Sequence, residues 1–492
     1  MASLFSVKPF AFLKTALALS LLVLSPLGCG ESTPGDGSGG ALPTGGTGTE
    51  SGGAPASGGM PGAGGTPTAS GGEPGSGGLS SGGSAAGGAG LGGAPAAGGQ
   101  APGDGGSASG GEGTGGSPAE PEWLPIWATT MQSLETNKAD HVPPTLPNNT
   151  LRQFVWPTVS GGKVRLRLSN VKGQTPVDIQ KVHIARAKNQ TDPQANVGQI
   201  DASTSTALTF NGAPNVTIPA GMAVFSDGVD FTLEELKLTA ITIQFGANIP
   251  ANITNHPGSR LTSYFASGDA VAQEAFNGAQ TRDRWYFIDA LEVMAPADAV
   301  AIAVLGDSIT DGYGVLNKFA RWTDVFSAQL KKDAALASKR SVLNFGMGAN
   351  MLASDSEFQD AGVKRFERDV LSRSKIKYLI VLEGVNDIEG GAQAQTLTSA
   401  YQDIITRATA QGIKVFVSPL TPMNAANAVR TQVNEWIRAS EAYSEGVDFD
   451  LAIRDPGNPN NMQAPYKNDN LHPSEAGYKA MGESVAVTLF HD

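Results

Sequence analysis

The sequence predicts a doubly covered parallel α/β sheet, preceded by an all-β, sandwich-like region and by a long segment that cannot fold. Three observations carry this. From about residue 297 onward, short apolar runs alternate with helix-like stretches, the pattern of a parallel sheet covered on both faces. Between about 122 and 296, strand-like runs are short, closely spaced and punctuated by turn residues, with little helical periodicity. Most of the 63 glycines fall between Gly30 and Gly116, among Ser, Ala, Pro and Thr and almost no large apolar side chains.

The first 29 residues read as a targeting segment. Lys8 and Lys14 precede an apolar stretch, Thr15 to Leu27, that is short for a membrane span and ends in small residues. Residues 30–121 cannot bury enough apolar surface to offset chain entropy, and are expected to be a disordered Gly/Ser/Ala/Pro linker. The balance of 34 basic and 46 acidic residues, net −12, argues against a nucleic-acid partner, whose phosphates demand a basic face.

In the sandwich-like region, Lys163 to Leu168 alternates polar and apolar and predicts a half-buried strand. Ala207 to Phe210 leads into an Asn211-Gly212 turn. Val216 to Ile218, Val224-Phe225, Leu238 to Phe245 and Trp285 to Val293 are further strands. In the α/β region the predicted strands are Ala301 to Leu305, Ser341 to Phe345, Tyr378 to Leu382 and Lys414 to Val417. Helical stretches are Arg321 to Ala337, Val363 to Ser372, Ala392 to Gln411 with a terminating Gly412, Ala425 to Tyr443, and Ser474 to Leu489.

Candidate chemistry gathers where those strands end, the edge at which open α/β sheets bind ligands. The first strand stops at Gly306-Asp307-Ser308 and makes Ser308 a candidate nucleophile. A serine needs a base and a group orienting that base. Of five histidines only His472 has a suitable setting, in Asp469-Asn470-Leu471-His472-Pro473. Asp469, three residues before it, can reach the imidazole within a loop. A chance Asp-His pair in a surface loop is the plain alternative for this motif read alone. An oxyanion hole needs donors aimed at developing charge. The second strand runs into Gly346-Met347-Gly348-Ala349-Asn350, where small residues let backbone N–H groups approach a ligand, and the third into Gly384-Val385-Asn386-Asp387. Asn386 supplies a neutral amide there, or else caps a turn.

Together these four loops resemble the SGNH hydrolases, or GDSL esterases. The nucleophile block is matched by Gly306 to Thr310, the second by Asn344 to Asn350, the third by Gly384 to Asp387 and the last by Asp469 to His472. Arg365 to Leu371, Asp448-Phe449-Asp450 and Leu451 to Pro456 look like features of a secreted bacterial subgroup with an N-terminal β-domain, which Thr150 through Asn170 also resembles. The resemblance implies a flavodoxin-like three-layer α/β/α hydrolase domain over 297–492 and a β-domain over 122–296. It implies a carboxylic-ester hydrolase in which Ser308 attacks, His472 acts as base and then acid, and Asp469 orients His472. The Ser308 N–H, an N–H at Gly348 or Ala349, and the Asn386 side chain would hold the oxyanion. The family's second donor is usually a glycine, and Ala349 stands at that place with Gly348 beside it. No cofactor or metal is implied, and no His-x-x-x-His zinc spacing is present. The absence of Gly-x-Ser-x-Gly argues against the ordinary α/β-hydrolase elbow.

Three functional readings follow. The first is an esterase deacylating, in particular deacetylating, a carbohydrate, so that the partner is an acylated small molecule or polysaccharide. The second is a short-chain lipase or general esterase, disfavoured by the lack of a long apolar lid segment. The third is a non-catalytic carbohydrate-binding surface protein, with Trp156 and Trp285 weighed as sugar platforms against an ordinary core or rim role.

Pro26-Leu27-Gly28-Cys29 resembles a bacterial lipoprotein signal, with Pro26 where such signals usually have Leu. Cys29 is the single cysteine of the chain, which excludes an intrachain disulfide. The protein is expected to be exported and lipid-anchored through Cys29 at the outer membrane or cell surface, the anchor being its one membrane contact; ordinary secretion is the alternative. Cys29→Ser should release the protein from the membrane fraction on cell fractionation, and undiminished retention would count against lipidation.

Overall fold

The alternation seen in the sequence builds the strand Gly161–Ser169, where Val164, Leu166 and Leu168 are buried and Arg165 and Arg167 turn to the other, half-exposed face. The computed structural model describes residues 120–423 and 427–492; the targeting segment, Cys29 and all but the last two residues of the expected linker lie outside them.

Two antiparallel sheets make up most of the N-terminal part. One places Glu122–Ala128, Ile288–Ala295, Gly161–Ser169 and Ala223–Phe225 side by side, with Val229–Leu233 also on Gly161–Ser169. The other runs Gln280–Arg282, Ser263–Ala266, Thr150–Val155, Thr239–Phe245, Val177–Arg186, Thr206–Leu208, with Val216–Ile218 also on Val177–Arg186. Asn211 and Gly212 take φ of 53° and 79°, the left-handed pair that a tight hairpin turn needs. The predicted strand Trp285 to Val293 is broken at Phe287, whose φ of 58° cannot continue an extended chain. Trp285–Tyr286 therefore joins Thr254–His256 and Gln132–Ser133 in a small third sheet.

The C-terminal part holds a four-stranded parallel sheet in the order Arg340–Gly346, Val300–Gly306, Ile376–Leu382, Lys414–Val417. In chain order this is 2-1-3-4, so the first strand, flanked on both sides, delivers its C-terminal end to the switch point of the sheet. All four predicted strands are present. The helices are shorter than predicted. Trp322–Leu330 stops seven residues before Ala337 in a run of turns. Val363 to Ser372 becomes a five-residue α-helix, Gly362–Phe366, continued by a π-helical turn, Glu367–Leu371. Ala394–Ala410 is a full helix, and Gly412 follows it at φ 73°. Asn427–Ala439 is also helical. Glu475–Ser484 starts at Ser474, whose hydroxyl accepts the Gly477 N–H, and then gives way to a 3-10 turn, Val487–Phe490. Short helices at Ser308–Asp311, Val385–Glu389 and Phe449–Ile453 are too brief to leave a periodic signal in sequence.

The two parts share one apolar core. Ser341 donates its hydroxyl to the Pro125 carbonyl at 2.7 Å, and the Val342 N–H reaches the Thr158 hydroxyl at 3.1 Å, so an outer strand of the parallel sheet is bonded to the β-region. Trp285 is buried, and its indole N–H donates to the Phe154 carbonyl, which removes it as a sugar platform; half-buried Trp156 stacks on Phe319. Among the described residues no helix is long and apolar enough to cross a membrane.

Candidate active site

Ser308 lies two residues past the strand Val300–Gly306, in the first turn of Ser308–Asp311. Asp307 caps that turn, accepting the Ile309 N–H at 3.0 Å. Gly306 is required by packing, because a Cβ there would come within 2.6 Å of the Leu382 carbonyl on the neighbouring strand. The backbone thus leaves the sheet sharply and presents Ser308 at the floor of a cleft of about 450 Å³.

His472 stands over it. Ser308 Oγ lies 2.8 Å from His472 Nε2, and His472 Nδ1 lies 2.9 Å from Asp469 Oδ2. Asp469 also accepts the backbone N–H groups of Leu471 at 2.8 Å and His472 at 2.7 Å, so the loop folds around its own carboxylate. Partial burial opposes ionisation of Asp469, but those two N–H groups and the His472 ring outweigh it and hold the carboxyl below its ordinary value. Tyr313 stacks on the imidazole with centroids 4.1 Å apart and fixes the ring from the side.

The second and third loops close the opposite wall. The Asn350 N–H returns to the Met347 carbonyl at 3.2 Å across a turn whose third residue, Ala349, has φ 60°. That is the dihedral pattern of a type II turn, at the position glycine favours, and a Cβ there costs roughly 1–2 kcal/mol. Asn386 donates one amide hydrogen to the Asn350 carbonyl at 2.8 Å, leaving its second for the cleft. Asp387 accepts the N–H groups of Leu352 at 2.7 Å and Ala353 at 2.9 Å, which ties the Gly348-Ala349 loop to the Val385–Glu389 helix. Ser308, Gly348, Ala349, Asn386 and His472 all line the one cleft, and Asp469 sits behind His472.

Beneath the cleft is a buried polar cluster. Arg365, fully buried, donates to the carbonyls of Gly306 at 2.9 Å and Phe345 at 2.8 Å, to Asn350 Oδ1 at 2.6 Å, and to Glu383 at 3.3 Å. Burial raises Glu383 although Arg365 pulls it down. Burial, with Glu383 and Asp387 nearby, pushes Asp307 up to about 8 against the pull of the Ile309 N–H.

Residues of the β-region reach the turn that carries Ser308. Asp311 accepts Arg260 Nη2 at 2.6 Å and lies 3.1 Å from His256 Nε2, while its carbonyl accepts Arg321 Nε at 2.9 Å. Gly258 passes so close that a Cβ would meet the Asp311 carboxylate at 1.7 Å.

Residues 304–480 match the GDSL-like Lipase/Acylhydrolase family. That span runs from inside the first strand to the last long helix and contains all four loops. Residues 304–480 are a GDSL-like hydrolase domain. Esters are the substrates such a domain hydrolyses. The chain is also similar to solved structures of this class. One is an aryl esterase of M. smegmatis, 17% identical, covering 39% of this chain and 98% of that one with a TM-score of 0.32. Another is a member of the lipolytic G-D-S-L family from Veillonella parvula, 19% identical, covering 39% and 98%, TM-score 0.29. A third is a psychrotrophic esterase from Pseudoalteromonas sp., 16% identical, covering 37% and 93%, TM-score 0.29. No curated protein matches the chain.

Reading the sequence of the GDSL-like domain singled out its strand-end residues but not what supports them. Arg365 lay within a run read only as a subgroup feature, and its charged neighbours Lys364, Glu367, Arg368 and Asp369 hid the burial that the fold imposes on it. Asp311 lay one turn beyond Ser308. His256 and Arg260 left no signal, because they meet Asp311 only after folding.

The raised Asp307 has a measurable consequence. Its folded-state value of about 8 exceeds the ordinary 3.8, so between those limits the folded protein holds a proton the unfolded chain has lost. Its contribution to stability therefore falls as pH rises through that window and levels off above it. Asp307→Asn keeps the acceptor for Ile309 and removes the titration. The Tm of this variant should gain on the parent between about pH 5 and about pH 8; a difference independent of pH would contradict the shift.

Proposed function

We propose that the chain is an exported serine esterase that removes short acyl groups, acetyl above all, from carbohydrate. The hydrogen-bonded chain from Ser308 Oγ through His472 to Asp469 is the observation that carries the reading. In the proposed reaction Ser308 Oγ attacks the ester carbonyl carbon while its proton passes to His472 Nε2. The resulting oxyanion is held by the Ser308 N–H, an N–H of Gly348 or Ala349, and the free Asn386 amide hydrogen. As the intermediate collapses, the bond to the alcohol oxygen breaks and His472 gives that oxygen its proton. Water, deprotonated by His472, then attacks the acyl-serine, releasing the acid and returning the proton to Ser308. Asp469 holds the imidazole in the tautomer that accepts from serine and stabilises the imidazolium.

A short acyl group is favoured by the cleft's composition. Pro257, Ala349 and Leu471 are its apolar linings beside Tyr313. Each buried methylene contributes about 0.8 kcal/mol where apolar surface receives it, and most of the other side chains lining the cleft are polar or charged. This weighs against the lipase alternative. The 2-1-3-4 strand order supports the flavodoxin-like, three-layer reading of the domain. Export, the lipid anchor at Cys29 and the tethering segment before residue 120 belong to the same proposal.

Turnover of p-nitrophenyl acetate by the full chain is the test. Ser308→Ala should lower kcat by about 1000-fold or more with the Tm preserved, and undiminished turnover would sink the nucleophile assignment. Asp469→Asn should lower kcat by roughly 1000- to 10,000-fold through the wrong imidazole tautomer. A loss under about tenfold would show that Asp469 does not orient His472.

A further inference from the structure

The cleft over Ser308 has two unlike walls. One belongs to the hydrolase domain and carries the groups just described. The other is made by the β-region. Glu135 accepts Arg284 Nη2 at 3.1 Å and Lys138 Nζ at 3.3 Å, and His141 Nδ1 lies 2.6 Å from it. Arg284 is further anchored on Asn255 Oδ1 at 2.8 Å, and Arg260 is held on Asp311. The lining counts three cations, Lys138, Arg260 and Arg284, against three carboxylates, Glu135, Asp311 and Glu389. Burial, with the charge of Arg284, holds His141 below its ordinary value and so neutral at pH 7. The cleft is dense in donors and acceptors and carries no net charge.

The direction of the leaving group follows from the acid. The alcohol oxygen must come within hydrogen-bond reach of His472 Nε2. Beside His472 stands Tyr313, 45% exposed, with one face on the imidazole; Arg260 lies over that ring at 5.8 Å. The alcohol is thus directed to the side where Tyr313 and the β-region's charged groups meet.

We propose that the β-region's wall, Glu135, His141, Arg260 and Arg284 with Tyr313, is the alcohol-side subsite, and that it takes a neutral, hydroxyl-rich leaving group, a sugar residue of an O-acetylated glycan. The proposal rests on the esterase reading above and deepens it. Paired charges present hydrogen-bond partners without a net field, which suits a polyol. A uronate would need a cation in excess, and across the cleft three cations are balanced by three carboxylates, Lys138 and Arg284 sharing Glu135, Arg260 on Asp311, and Glu389 completing the count. The exposed part of the Tyr313 ring offers an apolar surface for the C–H face of a pyranose.

The experiment measures kcat/KM of the full chain on acetylated xylan, acetylated pectin and p-nitrophenyl acetate. The first is a neutral glycan ester, the second a polyuronate ester, and the third has a leaving group without hydroxyls. Acetylated xylan should be preferred over acetylated pectin. Glu135→Gln keeps the shape and leaves Arg284 and Lys138 uncompensated, so it should move the xylan-to-pectin ratio toward pectin by about tenfold. His141→Ala, at the half-exposed rim where truncation does not open the core, should lower the xylan-to-p-nitrophenyl acetate ratio by about fivefold or more. Equal losses on all three substrates would assign the wall a purely structural role and overturn the proposal. Unchanged ratios in both variants would also overturn it and leave the esterase reading standing. Turnover of p-nitrophenyl acetate without turnover of either glycan would overturn the sugar assignment alone, whereas no turnover of any ester by the parent chain would overturn both readings.

Discussion

Arg365 is buried, and its guanidinium donates to carbonyls at the ends of two parallel strands, to the carboxylate that follows the third, and to the amide oxygen of Asn350. Strand ends are where a sheet runs out of backbone partners; the Gly306 carbonyl takes the Met347 N–H, and Arg365 adds a second donor there and supplies a partner for the buried Glu383 carboxylate. One planar fork with five donors answers that need at a single point. The loops leaving those strands carry Ser308, Gly348-Ala349 and Asn386. Their mutual placement is thus set from below, by a charge whose removal would leave a buried carboxylate unpaired, a loss of about 3–5 kcal/mol.

A second constraint arrives from the β-region. The turn bearing Ser308 is four residues long and has little stability of its own. Asp311 at its end is held on one side by His256 and Arg260, and its carbonyl by Arg321. Arg321 in turn donates to the Ser259 carbonyl at 2.5 Å. The β-region therefore touches the floor of the cleft as well as walling it. With the shared core and the bonds between Pro125, Thr158 and the strand Arg340–Gly346, this makes the N-terminal part a brace for the hydrolase. Ala349 illustrates the result: its left-handed φ is strained for a side chain, and the turn keeps it because Asn350 and Asp387 pin the loop on either side.

Apolar runs closed by small or polar residues were legible as strands because burial on both faces writes itself into consecutive residues. The parallel sheet, its strand ends and the four loops could be read that way. Helix ends could not. The stretch from Arg321 to Ala337 keeps an apolar rhythm after the helix stops at Leu330, since Leu336 is still buried from within a turn. Phe287 broke a strand that reads as continuous, because a single left-handed residue leaves no trace in composition. The pairing of His256 with Asp311 spans 55 positions and depends on how two sheets and a turn meet.

By itself, the sequence determined the class of fold, the identity of the four loops and the ordering of Asp469 before His472, because these depend on local chemistry: apolar periodicity, small residues at tight turns, a carboxylate three residues from an imidazole. The tertiary structure alone decided which groups share a cleft. It set Tyr313 against His472, brought Glu135, Arg260 and Arg284 to face Ser308, and placed Arg365 under three strand ends. Those arrangements join residues far apart in the chain, and only packing brings such side chains within the few ångströms at which hydrogen bonds and charges act. Ser308 was visible as a serine at the end of a strand; what surrounds it came from the fold.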